Sequence, residues 1–417
     1  MTANGITKTQ SRAFIAAWLG WCFDGLDGFL YSLVALPFVT QLLNAKPGAP
    51  EAATKASLIQ GVFLIGWALG GAVFGRIGDR IGRSRTLTLT ILIYACFTGL
   101  AFVVHTWWEL LIVRFIAALG IGGEWAAGSA LVSETLPPKY KHFASATLQN
   151  GYIVGMIAAA VTVGLFKQFD PRYVFLVGIV PALATVWIRK AIPEPEVWEG
   201  ERKSQEMPPV SALFKGEVLK TTLYTLALTG ICLTCVWALL YFSSQVVRGL
   251  PEVKAMAKED VSALISKVTI VYCLWNIAGC YTSSFVARYV GYRKAFALFM
   301  ACSGIAYYFG FKDTLSLDAT RWWLNIAFFF SSGIFALFPL YVPPLFPTLV
   351  RTTGAGFSYN FGRLVAGIGT FVFGMATSKA LSPSHAIWYA SFLYIPGVIL
   401  AFFVPVPSEG RPATGSS

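Results

Sequence analysis

"AFIAAWLGWCFDGLDGFLYSLVALPFVTQLL" (residues 13–43) contains two aspartates, Asp24 and Asp27, each followed by glycine, and no other charged residue. Asp-Gly pairs mark tight turns, and that reading would fold the segment into a hairpin. The flanks argue against it. Together they make a mostly apolar run well beyond the about 20 residues that a membrane-crossing helix needs. On this reading the two carboxylates lie inside a bilayer.

Composition supports lipid as the solvent. The chain has 417 residues, 56% of them hydrophobic and only 12% charged, with a mean hydropathy of +0.64. A soluble domain carries about 25% charged residues, so this chain has too little polar surface to coat a soluble core. The net charge of +12 is spread between apolar runs rather than gathered into one patch. That distribution fits the Lys/Arg bias of cytoplasmic loops in membrane proteins and gives no reason to expect nucleic-acid binding. The seven cysteines all sit in apolar surroundings, and the C-x-x-C spacing of Cys232 and Cys235 lacks a redox-fold context. They read as small helix residues. The opening "MTANGITKTQSR" runs straight into the first long apolar segment, so no cleaved secretory signal is expected. His105, His142 and His385 are scattered, and neither a phosphate-binding glycine motif nor a nucleophile elbow occurs. The chain is therefore expected to be no enzyme and to need no metal or cofactor.

Apolar runs place spans at 13–43, 57–76, 86–104, 107–133, 142–166 and 173–191, then at 218–247, 263–288, 294–311, 321–347, 353–377 and 385–405. The fold class expected is all-α integral membrane, with twelve transmembrane helices in two pseudo-symmetric halves of six. Residues 1–192 form the first half and 218–417 the second. The charged, proline-bracketed stretch 193–217 is the linker. With both termini inside, about 19 basic residues fall in inside loops and about 11 outside, as the positive-inside rule requires. Both termini are thus expected in the cytoplasm. The loop "GRIGDRIGRSR" (75–85) has a weak counterpart after the eighth span, "SSFVARYVGYRK" (283–294), which keeps Gly291, Arg293 and Lys294. Matched halves are common in secondary transporters.

Asp24, Asp27, Arg114, Glu124 and Arg363 are the ionisable residues expected within spans. Such residues are costly and usually face a partner or a water-filled path. Asp24 and Asp27 share one helix face, about 18–22 Å beyond Arg12 at 1.5 Å per residue. Two close carboxylates in a low dielectric cannot both ionise cheaply, so the pair can carry a proton, although either acid alone could be structural. Arg114 is a partner for that pair, a packing clamp, or a direct ligand for a substrate carboxylate, which a guanidinium fork suits. Glu124, about 15 Å further along the same helix, reads as a contact to a neighbouring helix. Asn360 and Arg363 share a face of the eleventh helix, and Gln149 and Asn150 stand at the matching place in the fifth. These four could line a midplane site, or the amides could simply bond between helices. Tyr31, Trp275, Asn276 and Tyr359 are further candidates for cavity lining.

"GRIGDRIGRSR" resembles the signature that the major facilitator superfamily carries between its second and third helices, with Gly75, Asp79, Arg80, Gly82, Arg83 and Arg85 on the matching positions. "RFIAALGIGGEWAAGSALVSETLPPK" (114–139), "EPEVW" (194–198) and "FPTLVRTTGAGFSYNFGR" (346–363) resemble segments of bacterial metabolite:proton symporters. "FDGLDGFLY" (23–31) is most similar to the sialate:proton symporter group, which includes lactate and pyruvate carriers. Ala117 and Ala118 depart from that pattern, which often shows Gln and Gly there. No proline follows Gly155, so the drug-antiporter signature is missing.

The resemblance implies a monomeric multi-pass carrier of the bacterial inner membrane. It would couple protons to a small organic anion, such as lactate, pyruvate or sialic acid. Asp24 and Asp27 would serve the proton, and Arg114, Arg363, Asn360, Gln149 and Asn150 the substrate. The 75–85 loop would govern the conformational change. A carrier of zwitterions, sugars or di- and tricarboxylates is the alternative, and a non-transporting sensor is a third reading.

Overall fold

The computed structural model describes residues 6–46, 49–166, 168–183, 187, 192–379 and 382–405. All regular structure among them is helical: α1 (Lys8–Leu42), α2 (Pro50–Ile81), α3 (Arg83–Leu100), α4 (Trp107–Thr135) and α5 (Pro138–Leu165) come first. The sixth, α6, is described over Pro171–Leu183. The remainder of its expected span, like the chain's C-terminal tail, lies outside the described residues. After a short α7 (Glu196–Ser204) come α8 (Gly216–Gly249), α9 (Lys258–Val290), α10 (Tyr292–Phe311), α11 (Leu317–Tyr341), α12 (Arg351–Lys379) and α13 (Pro383–Phe403). Among the described residues nine helices are long and apolar enough to cross a membrane. With α3, α6 and α12 they make the twelve.

Helix ends follow local chemistry. Thr7 with Gln10 and Thr106 with Glu109 form reciprocal capping boxes at the starts of α1 and α4. Proline at the first positions starts α2, α5 and α13, where a missing N–H costs nothing. The tenth span was expected to reach residue 347 but ends at Tyr341. Prolines at 343, 344 and 347 remove backbone donors, and the chain continues as two 3-10 turns, Pro343–Leu345 and Thr348–Val350. Gly82 and Gly291 occupy equivalent turns, after α2 and after α9, with φ of +111° and +82°. Side-chain-bearing residues rarely adopt that region, which explains why glycine stands at both places.

The α1 helix runs unbroken through "DGLDG". Gly25 lies against the Tyr152 carbonyl and Gly155 against the Cys22 carbonyl, each too close for a Cβ. Small residues thus let α1 and α5 cross backbone to backbone. Helix α4 packs on α1, α2 and α3, while α11 packs on α9 and α10. Between the two sets, α12 packs on α2 and α4, and α9 on α5.

At the end of the molecule that carries the α2–α3 turn, buried ions join the two sets. Asp79 accepts from the Thr352 and Thr353 amides (3.1 and 2.8 Å) and the Thr353 hydroxyl (2.5 Å), capping α12. Arg83 lies 3.3 Å from Asp79, donates to both Glu134 oxygens (3.0 and 2.9 Å), and reaches the Thr348 carbonyl (2.7 Å). Arg351 donates to Glu134 at 3.1 Å. The α7 segment covers the lock: Trp198 Nε1 donates to the Asp79 carbonyl (3.0 Å), and Glu201 accepts from Thr348 (2.8 Å). Glu194 accepts from the amides of Ser84 and Arg85, capping α3. Removing one member of such a buried network leaves uncompensated charge, at a cost of about 3–5 kcal/mol. Asp79→Ala is therefore expected to lower the denaturation midpoint of the purified protein sharply, whereas Arg80→Ala, at an exposed position, is expected to leave it unchanged; circular dichroism melts in detergent compare the two.

Candidate functional site

A cavity of about 530 Å³ lies between the two sets of helices. Its walls come from α1, α2, α5, α8, α9, α11 and α12, and include Trp21, Trp67, Tyr152, Trp237, Tyr272 and Tyr359. It reaches Ser32 and Leu33 in the second half of α1 and Gln245 near the end of α8. It therefore extends away from the α2–α3 turn, where the Asp79–Arg83–Glu134 network closes the molecule.

Among the described lining residues only Arg363 is charged. Its guanidinium sits over the Trp67 ring at 4.3 Å and the Tyr359 ring at 4.8 Å. Tyr359 in turn stacks on Trp125 at 3.8 Å. Arg363 donates through one terminal nitrogen to the Asn360 carbonyl oxygen. Asn360 is itself fixed by donating to the carbonyls of Gly122 (3.2 Å) and Gly356 (2.9 Å). Arg363 Nε has no hydrogen-bond partner, and no carboxylate pairs with this cation among the described residues. A buried guanidinium held in place by neutral groups, with no carboxylate beside it, can accept an anion.

The intramembrane acids separate into two environments. Asp27 is ion-paired: Arg114 donates to its two oxygens at 2.9 and 3.1 Å, and the Thr98 hydroxyl donates at 2.5 Å. Arg114 also lies over Phe63 at 4.5 Å and Tyr31 at 5.3 Å. Neither Asp27 nor Arg114 is among the cavity-lining residues. Asp24 instead faces Glu124 of α4. Both are fully buried, and no other polar group satisfies their carboxyl oxygens among the described residues. Gly20, one turn before Asp24, leaves the space that the Glu124 carboxyl fills. Asp24 is also within electrostatic range of Arg363.

The remaining sequence-derived candidates distribute as follows. Gln149 and Asn276 line the cavity with Tyr359, while Asn150 is buried beside it with both amide atoms unpartnered. Tyr31 donates to the Ala56 carbonyl at 3.1 Å, and Trp275 stacks edge-on against Trp322, away from the cavity. In the 75–85 loop, Asp79 and Arg83 build the lock, Gly75 lies against the Thr352 carbonyl, Gly82 makes the turn, and the Arg80 and Arg85 side chains are exposed. Sequence reasoning assigned Glu124 to helix packing, and only the fold brings it to Asp24. The available signal was its membership in the short list of intramembrane ions. Glu134, Arg351 and the Trp67 face of the cavity had no comparable signal.

The model of the Major Facilitator Superfamily matches residues 17–341. The sialic acid transporter NanX of Escherichia coli (strain K12) is 28% identical over 362 residues, covering 86% of this chain and 85% of that one. The cis,cis-muconate transport protein of Acinetobacter baylyi is 28% identical over 414 residues, 95% of each. Among solved structures, the proton:xylose symporter XylE superimposes with a TM-score of 0.78 at 16% identity, over 95% of this chain and 96% of its own, which speaks to the fold alone. Twelve helices in this packing, the matched signature loop and these relatives lead to one conclusion: the chain is a multi-pass membrane transporter that belongs to the Major Facilitator Superfamily.

Proposed function

We propose that this transporter is a proton-coupled symporter for a small organic carboxylate. The observation that carries the reading is the buried, carboxylate-free Arg363 in the cavity wall, with the Asp24–Glu124 pair in electrostatic range of it. A guanidinium fork binds a carboxylate bidentately. An anion arriving at Arg363 cancels part of the positive potential that stabilises an ionised Asp24, so substrate binding favours a protonated Asp24–Glu124 pair. Proton and anion thereby load together, with no contact needed between them. Asp27, locked to Arg114, is the second candidate for carrying the proton. Gln149, Asn150 and Asn360 serve the anion site, Asn360 by orienting Arg363.

The cycle follows from the two ends. Residues 1–192 and 218–417 rock about the cavity as two units joined by the 193–217 linker, and the Asp79–Arg83–Glu134 lock breaks when the α2–α3 end opens. That end is cytoplasmic on the positive-inside count, in the inner membrane of a bacterium, and the functional unit is a monomer. One proton with one monocarboxylate is electroneutral and avoids about 2.3 kcal/mol per charge per 100 mV of membrane potential. The aromatic lining favours a flat, unsaturated acid over lactate or a polyhydroxylated acid, because rings stack on planar π systems. The relatives named for cis,cis-muconate and niacin accord with that preference, and the one named for sialic acid marks the other pole.

Uptake into proteoliposomes, driven by an acidic exterior, tests the coupling. Asp24→Asn and Glu124→Gln are each expected to abolish accumulation while retaining substrate exchange between the two sides. If both variants concentrate substrate like the parent, the assignment of the proton to this pair fails. Asp27→Asn is expected to depress accumulation and exchange together, since it leaves Arg114 uncompensated. Arg363→Lys keeps the charge but loses the fork, and is expected to raise the KM for the anion by roughly tenfold or more, given the strength of charged hydrogen bonds. An unchanged KM would exclude direct binding there. Competition by benzoate, cis,cis-muconate, lactate and sialic acid ranks the substrate classes, with the flat acids expected to compete best.

A further inference from the structure

A second opening between the two sets of helices lies where α5 begins and α9 ends. It measures about 500 Å³ and is lined by Lys139, His142 and Phe143 of α5 and by Ser284, Phe285 and Arg288 of α9. It lies at the same end of the helices as the lock: Lys139 is five residues after Glu134, and Arg288 stands just before Gly291, the counterpart of Gly82. Lys139, His142 and Arg288 pair with no carboxylate among the described residues. Ser284 is 2% exposed, and its hydroxyl has no hydrogen-bond partner. Phe143 and Phe285, by contrast, are 66% and 61% exposed at the mouth.

This combination selects an amphiphile. Two exposed cations, an imidazole and an unsatisfied buried hydroxyl form a donor set for a phosphate group. The exposed phenylalanines beside them suit acyl chains and offer nothing to a free ion. We propose that this groove binds the phosphodiester headgroup of an anionic phospholipid, with its acyl chains lying along Phe143 and Phe285. Basic pockets between helices at the cytoplasmic side suit such headgroups. The site spans the seam between the sets, where the hydroxyls of Thr147 and Tyr281 also meet at 3.1 Å. A lipid held there bridges both sets and favours the state in which the α2–α3 end is closed.

Native mass spectrometry of the full-length protein in detergent, with dioleoyl phosphatidylglycerol or dioleoyl phosphatidylcholine added singly, tests the proposal. The unaltered protein is expected to retain the anionic lipid roughly thirtyfold better than the zwitterionic one, as two basic side chains at a membrane surface imply. The Lys139→Gln/Arg288→Gln double variant should lose that preference, Ser284→Ala should reduce it, and Lys215→Gln, an exposed basic residue elsewhere, should keep it. Equal retention of the two lipids by the unaltered protein overturns the proposal without any variant needing to fold. Full retention of the anionic lipid by the double variant also overturns it. Displacement of the bound lipid by millimolar inorganic phosphate would show a free-anion site instead, and would likewise overturn it.

Discussion

The cost of placing a charge in a low-dielectric interior sorts every functional residue of this chain. A buried ion must find a partner, lose its charge, or wait for a ligand. Asp27 and Arg114 have found each other, with Thr98 completing the carboxylate's bonds. Asp79, Arg83, Glu134 and Arg351 have done so as a network. Arg363 and the Asp24–Glu124 pair have not. These groups lie at the cavity and just behind its wall, so the same rule that stabilises the scaffold also singles out the proposed working parts.

The lock and the cavity are two consequences of one packing choice. Helix α12 crosses α2 where Gly71 lies against Gly356 and Gly75 against Thr352, close enough to bring the α12 N-terminus onto Asp79. The aromatic-lined cavity lies between the same two sets of helices, on the far side of that closed end. The carboxylate cap works because the amides of an α-helix's first turn lack internal partners, so Asp79 satisfies a need that α12 has in any arrangement. What holds the end shut is therefore local and polar, and in the proposed cycle it is exchanged for water.

Much of the fold was legible because hydropathy over about 20 residues is a coarse signal that survives ignorance of contacts. The boundaries of α4, α5 and α8 fall within a few residues of the apolar runs. The tenth helix failed where prolines, not apolarity, set the end. The site was legible only as a list of costly residues. Pairing within that list needs the third dimension: Asp24 and Asp27 are neighbours in sequence, yet α4 presents Arg114 to one and Glu124 to the other. A helix separates residues ten apart by about 15 Å, and that distance is what lets one helix serve two acids in different ways.

That division has a functional logic. Had Arg114 faced both aspartates, Asp24 too would have a fixed counter-charge. With Arg114 committed to Asp27, Asp24 is left facing the Glu124 carboxyl, within electrostatic range of Arg363. Arg363 comes from the other set of helices. In the proposed cycle its influence on Asp24 is therefore subject both to an anion bound there and to the separation of the two sets. In that proposal a cation that a ligand neutralises, acting on a carboxyl pair, links proton, anion and conformation, and the glycines at 20 and 25 bring α1 close enough to α4 and α5 for the pair and the cation to lie near one another.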